Sequence, residues 1–495
     1  MIWLFLTSGL FLGWSLGAND GVNIFGGAVV SRMVKFKVAA TIAGIFVILG
    51  AVISGAGTTR TLTDLGSVNA LAGSFTVAFS AGLAIAWLTK LKLPVSTSQA
   101  VVGSIVGWNL FTGSPTDINA LTKIISVWII CPLLAAVITF GLYKITTFII
   151  NRIKLHILRI DAYTRIGMLV VGAFGSYSLG ANNIANVMGM FISSSPFVDI
   201  HLADFFTISG TQQLFFIGGL AIAVGIFTNS YRVMITVGKD LFKITPVAGL
   251  LVMLSHSLVL FLFASEALEA LLIANGLPSI PLVPVSSTQA VIGAVIGVGL
   301  AKSGRTINFK VLGKISIGWV TAPIAACVIS LVALFFVQNV FEQKVVQSVS
   351  YRVSSGIIKK LEQQNIPSAP LENLVDQNYI GSAHFRHELN KNFKWSEQQL
   401  FQIFSYSELD TFIIDSTLAK NVFEHEEILL ERLDALKQLH GKMYFHKWQL
   451  EDDLIEKSNS WKIQTEKGSG PYNKKLKQDK QLVFDTFRLK TKISD

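Results

Sequence analysis

Charge is scarce in this chain. Only 15% of its 495 residues are charged while 51% are hydrophobic, and a mean hydropathy of +0.54 excludes an ordinary soluble enzyme of this length. The shortage is local: residues 1–341 hold 19 Lys+Arg and 9 Asp+Glu, whereas residues 342–495 hold 22 of each, so the net charge of +10 belongs to the apolar part. Its cations sit in short gaps between apolar runs, where they orient membrane helices, which argues against a nucleic-acid partner. Cysteine is nearly absent. Cys131 and Cys327 lie in apolar runs without the neighbours of a metal or redox site, and read as small buried hydrophobes. No GxxxxGK[ST] loop occurs, which argues against ATP hydrolysis by the chain itself. The N-terminus lacks the basic start of a cleaved signal and is expected to stay as a span.

What is present in quantity is apolar sequence. Segments able to cross roughly 30 Å of hydrocarbon lie near 2–31, 38–54, 71–89, 97–111, 124–150, 163–193, 214–230, 247–264, 284–301 and 315–341. They predict an all-α, multi-pass membrane protein of about ten crossings, with up to twelve if short, interrupted segments form re-entrant pairs. Placing the N-terminus outside puts Arg32, Lys35, Lys37, Lys90, Lys92, Arg152, Lys154, Arg159, Arg165, Arg232, Lys239, Lys243, Lys302, Arg305, Lys310 and Lys314 inside, and leaves only Arg60 and Lys123 outside.

The chain repeats itself. GANDGVNIFG at 17–26 returns as GANNIANVMG at 180–189, and LPVSTSQAVVGSIVG at 93–107 returns as VPVSSTQAVIGAVIG at 283–297. Trp128 with Pro132 is echoed by Trp319 with Pro323. Because five crossings separate the copies, the second half must run through the membrane in the opposite sense, an inverted-topology repeat of about 5+5 crossings with discontinuous helices. The division expected is 1–160 for the first repeat, 161–341 for the second and 342–495 for a mainly helical soluble tail, with 423–439 as an exposed helix. Parity places that tail on the side of the N-terminus.

Asp20 stands in an apolar segment, where a carboxylate costs roughly 2.5–3.5 kcal/mol. Glycines 17 and 21 are expected to break the helix and free backbone carbonyls, while Asn19, Asp20 and Asn23 supply oxygens suited to a hard monovalent cation. Asn182, Asn183 and Asn186 repeat the pattern. The plainer alternative is an Asp20 that caps a helix end in a water-filled vestibule. In PVSTSQ and PVSSTQ a proline at a first helical position precedes hydroxyls and an amide, and the free first-turn N–H groups join Ser96, Thr97, Ser98, Gln99, Ser286, Ser287, Thr288 and Gln289 in an anion site. Its plainer alternative is two Ser/Thr-rich helix starts at the surface. Gly103, Gly107, Gly293 and Gly297 follow at helical spacing and need no more than close helix packing. His256, Glu266 and Glu269 lack duplicated counterparts and read as interfacial or satisfied core residues rather than a proton relay.

At these paired motifs the chain resembles the inorganic phosphate transporter (PiT) family over residues 1 to about 341. The resemblance implies an inverted-repeat, often dimeric carrier, not an enzyme, that moves phosphate with sodium or protons and needs no cofactor. It implies that Asp20, Asn23, Asn183 and Asn186 line the cation and substrate sites, with Na+ as one candidate there, and that Ser96, Thr97, Ser98, Gln99, Ser286, Ser287, Thr288 and Gln289 cradle the anion. Asn183 departs from it, since the second copy usually carries Asp as the first does, and losing that carboxylate should weaken cation binding or change coupling. Phosphate at neutral pH still carries a proton to donate to Asp20, whereas sulfate only accepts, so sulfate transport is the rival within the family. An anion channel or a receptor with a signalling tail is the rival outside it. A prokaryotic inner membrane is the expected location.

Overall fold

A computed structural model describes residues 2–91, 95–153, 156–201, 207–241, 245–302, 309–391, 393–423, 430–464 and 470–489. The chain divides into two units. The first comprises Met1–Thr112, Thr116–Glu266 and Ile280–Gln347, the second Gly113–Pro115, Ala267–Ser279 and Ser348–Asp495.

The first unit is built from helices α1 (Ile2–Val30), α2 (Phe36–Ser54), α3 (Ala56–Leu65), α4 (Leu71–Lys90), α5 (Thr97–Thr112), α6 (Ile118–Ile153), α7 (Ile157–Met188), α8 (Gly210–Leu241) and α9 (Pro246–Ala264). The helix α10 (Glu266–Ala274) is followed by α11 (Ser287–Lys302) and α12 (Phe309–Asn339). Seven of these, α1, α2, α4, α6, α8, α9 and α12, are long and apolar enough to cross a membrane over all or most of their length. α6 and α12 turn Ile129, Leu133 and Val137, and Ile317, Val320, Ile324 and Val328, outward at helical spacing. An apolar face left exposed in this way is one that lipid covers. The chain is an integral, multi-pass membrane protein.

Helix pairing crosses between the two halves of the sequence: α1 packs on α8, α7 on α2, α5 on α12 and α11 on α6. Glycine makes each crossing close. A Cβ at Gly17 would stand 2.0 Å from the Ile222 carbonyl oxygen, and one at Gly180 would stand 2.1 Å from that of Val47. One at Gly103 would stand 2.1 Å from the Pro323 oxygen, and one at Gly293 would stand 2.1 Å from that of Pro132. Backbones meet where any side chain would hold them apart.

Here the expectation for the GAND segments needs correction. α1 is continuous through Gly17 and Gly21, and α7 through Gly180. The glycines do not break the helix, because intrahelical hydrogen bonding costs less to keep than to lose in an apolar medium; they serve the crossings instead. The breaks fall elsewhere, at Gly55 between α2 and α3 and ahead of α5 and α11.

The second unit holds two small apolar clusters. One gathers around Tyr351, Phe385 and Phe404, beside a strand pair β3 (Ser350–Arg352) and β4 (Asn378–Ile380), the pair β1–β2 being the short Ile200–His201 and Thr207–Ile208 of the first unit. The other gathers around Phe412, Trp461 and Phe484. Its Arg432 is fully buried, ion-paired with Asp479 and bonded to the Ser460 carbonyl at 2.9 Å. The helix expected over 423–439 is Leu430–Gln438, with Arg432, Ala435 and Leu436 turned into that cluster rather than exposed; 424–429 lie outside the described residues. Glu269, read as interfacial, pairs with Lys474 at 2.7 Å within this unit.

Candidate functional site

The helix starts at the two proline motifs are set by serine, not proline. α11 begins at Ser287, three residues after Pro284, and α5 begins at Thr97; Pro94 and Lys92 lie outside the described residues, as do Lys154, Lys243 and Arg305. Ser286 Oγ accepts from the Gln289 N–H at 3.2 Å, and Ser96 Oγ from the Gln99 N–H at 3.4 Å. A hydroxyl at the cap and glutamine three residues on is the spacing that satisfies first-turn N–H groups.

All fourteen candidate residues except Asn19 are buried. The two motif types meet, and they meet across the halves. Asn23 Nδ2 on α1 donates to Ser287 Oγ at 2.9 Å, and Asn186 Nδ2 on α7 donates to Ser98 Oγ at 2.8 Å. Asn23 also reaches Asp20 Oδ1 at 3.4 Å, as Asn186 reaches Asn183 Oδ1 at 3.1 Å. Between the anion motifs, Ser98 Oγ donates to the Val285 carbonyl at 3.3 Å and Thr288 Oγ1 to that of Val95 at 3.5 Å. The plainer alternative, two Ser/Thr-rich helix starts at the surface, does not fit this burial and cross-bonding.

Several buried polar atoms at this centre have no partner among the described residues: Thr97 Oγ1, Gln99 Oε1, Gln289 Oε1, Asn186 Oδ1 and Asn183 Nδ2. Each unpaired buried group costs about 1–3 kcal/mol. Three of them are amide oxygens, which only accept and suit a hard cation, while the Thr97 hydroxyl and the Asn183 amide N–H can donate to an anion. Asp20 Oδ1 also accepts from Asn19 Nδ2, at 3.0 Å.

One further member is a residue that the sequence offers only as interfacial or core. His256 on α9 is fully buried, and its Nε2 lies 2.9 Å from Ser287 Oγ. Of the two expected readings, interfacial or core, the burial fits the core one; no duplicated partner marks it, and a polar residue within an apolar helix is the signal it gives. Cys131 is buried on α6 with Sγ 3.9 Å from the Ser286 carbonyl, as expected, whereas Cys327 is half-buried.

A profile described as the phosphate transporter family matches residues 16–161, 157–270 and 260–409. Among curated proteins, the chain is 25% identical over 406 residues to one from Thermococcus kodakarensis named "Putative phosphate permease", covering 66% of this chain and 96% of that one. It is 24% identical over 433 residues to one of the same name from Haemophilus influenzae, covering 69% and 97%. Among solved structures, one described as "The sodium-dependent phosphate transporter" superposes with a TM-score of 0.54 at 21% identity, over 68% of this chain and 98% of the other, which shows a shared fold. On the strength of the profile match, the chain belongs to the phosphate transporter family.

Proposed function

We propose that this protein carries inorganic phosphate across the membrane by cation-coupled symport with alternating access, through two inverted repeats of about five crossings each. The observation that carries the reading is the crossed pair Asn23–Ser287 and Asn186–Ser98, which ties a cation motif of each half to the anion motif of the other. A cation held at Asp20, Asn23, Asn183 and Asn186 then shapes the hydroxyl and amide cradle of Ser96, Thr97, Ser98, Gln99, Ser286, Ser287, Thr288 and Gln289, so that each ligand favours the state the other prefers. Sodium is the favoured coupling ion, by analogy with the superposed sodium-dependent transporter, with a proton as the alternative. Asn183 favours a second reading, sulfate, because a site with one carboxylate fewer repels a fully ionised anion less.

The same proposal takes the protein as a homodimer in a prokaryotic inner membrane, with residues 342–495 as a separate domain on the side of the N-terminus. The test is uptake of labelled phosphate into proteoliposomes under an imposed sodium or proton gradient, with unlabelled sulfate as competitor and Asp20→Asn as the variant. Gradient-driven uptake that sulfate does not inhibit and that Asp20→Asn abolishes supports it. Passive, gradient-independent flux or wild-type uptake by a folded Asp20→Asn protein sinks it.

A further inference from the structure

Ser287 and Thr97 occupy the same place in the two anion motifs, yet their hydroxyls are treated differently. Thr97 Oγ1 is buried with no partner among the described residues, while Ser287 Oγ is held from two sides, by Asn23 Nδ2 and His256 Nε2, each at 2.9 Å. A hydroxyl has two acceptor sites and one hydrogen. Asn23 fills one acceptor site. What His256 does with the other decides where the hydrogen points.

If Ser287 donated to His256, the imidazole would carry its own hydrogen on Nδ1. That atom is buried and has no partner among the described residues, so an N–H would be orphaned there. The other tautomer leaves only a bare lone pair at Nδ1 and puts the hydrogen on Nε2, and an unpaired acceptor is the better tolerated of the two. His256 then donates to Ser287, both acceptor sites are full, and the hydroxyl hydrogen has one direction left: away from Asn23 and His256, into the cradle.

We infer that His256 is a positioning residue of the anion site, fixing the Ser287 hydroxyl as a donor to a bound oxyanion. The inference rests on the proposed anion site. Preorganised donors bind an anion without reorienting on its arrival, so the second half presents a fixed hydroxyl where that of Thr97 in the first half has no partner among the described residues. This asymmetry has no trace in the motifs, which are near copies.

The experiment compares phosphate uptake by full-length wild type, His256→Leu, His256→Gln, Ser287→Ala and the double variant His256→Leu/Ser287→Ala in proteoliposomes, with KM and maximal rate separated. Glutamine can place an N–H near the imidazole Nε2 position and leucine cannot. Loss of one oriented donor is expected to raise KM about tenfold in His256→Leu with maximal rate changed less than about twofold, and glutamine to restore KM to within about threefold. The double variant should be no worse than Ser287→Ala alone. A wild-type KM in folded His256→Leu, a failure of glutamine to rescue, or losses that multiply in the double variant would overturn the inference. Ser287→Ala with unchanged KM would instead sink the anion site on which it rests.

Discussion

Asn182 pairs its whole side-chain amide with the main chain of Val285, donating to the carbonyl at 2.8 Å and accepting from the N–H at 2.9 Å. Asn19 holds the matching place in the first motif but turns to Asp20 instead, at 3.0 Å, and is only half-buried. Two copies of one motif thus stand in different states. A carrier that exchanges access between its faces would break one such pair as it forms the other.

The first prediction follows from that difference. Asn182→Ala removes the acceptor of a buried N–H and should speed deuterium exchange in the 280–290 segment about tenfold, the worth of one buried hydrogen bond. Asn19→Ala should leave exchange in 95–100 unchanged. Equal responses to the two substitutions, read by mass spectrometry, would show that the Asn182–Val285 pairing does not hold that segment.

Much of this centre is legible in the sequence because the motifs occur twice. Duplication alone singles out Asn23, Asn186, Ser98 and Ser287, and the contacts join them. The function of Gly17 and Gly180 is not legible there, since a glycine in a polar motif suggests a break, while the need for it arises from Ile222 and Val47 on helices distant in sequence. His256 stands out in the sequence only as an unduplicated polar residue in an apolar helix, because its significance depends on Ser287, thirty-one residues away, and not on any pattern around it. Single-copy residues and crossings between distant helices leave little local signal.

Close crossings make a second prediction. Gly293→Ala places a methyl 2.1 Å from the Pro132 oxygen, a backbone atom that cannot swing aside, whereas Gly141 on α6 has nothing within 4 Å. Gly293→Ala should cost about 1–3 kcal/mol or more, seen as a lowered melting temperature in detergent. Gly141→Ala should be neutral or slightly stabilising, because alanine is the better helix former by roughly 1 kcal/mol. Similar melting of both variants would contradict the packing described.

The third prediction concerns Asn183. Its Oδ1 accepts from Asn186 at 3.1 Å, as Asp20 Oδ1 accepts from Asn23 at 3.4 Å. Asn183→Asp would give both halves a carboxylate. Under the proposed coupling, half-maximal uptake should then need about tenfold less cation, or show a steeper dependence on it, since an opposite charge within about 4–6 Å favours the charged ligand. An unchanged cation dependence would mean that the second motif does not hold the ion.

The fourth prediction lies in the second unit and is a matter of sign. His446 is buried, its Nδ1 lies 2.9 Å from the Glu408 carbonyl, and its ring stacks on Trp448 at 5.9 Å between centroids. Burial, with a smaller push from Arg352, holds its pKa below the usual histidine value, against the pull of the Glu408 carbonyl. The unfolded chain takes up its proton near pH 6.5 while the folded one still resists, so more protons are bound unfolded. Stability is therefore full above about pH 6.5 and is lost as the pH falls through that value toward the depressed folded pKa. Glu408 acts in the opposite sense, because burial raises its pKa and the folded carboxyl takes a proton first. Comparing wild type with His446→Gln largely removes that second contribution. Deuterium exchange across 443–457 in the full chain should accelerate between pH 7.5 and 5.5, after correction for intrinsic exchange, more in wild type than in His446→Gln. The same acceleration in both would place the acid sensitivity of this unit in some other group.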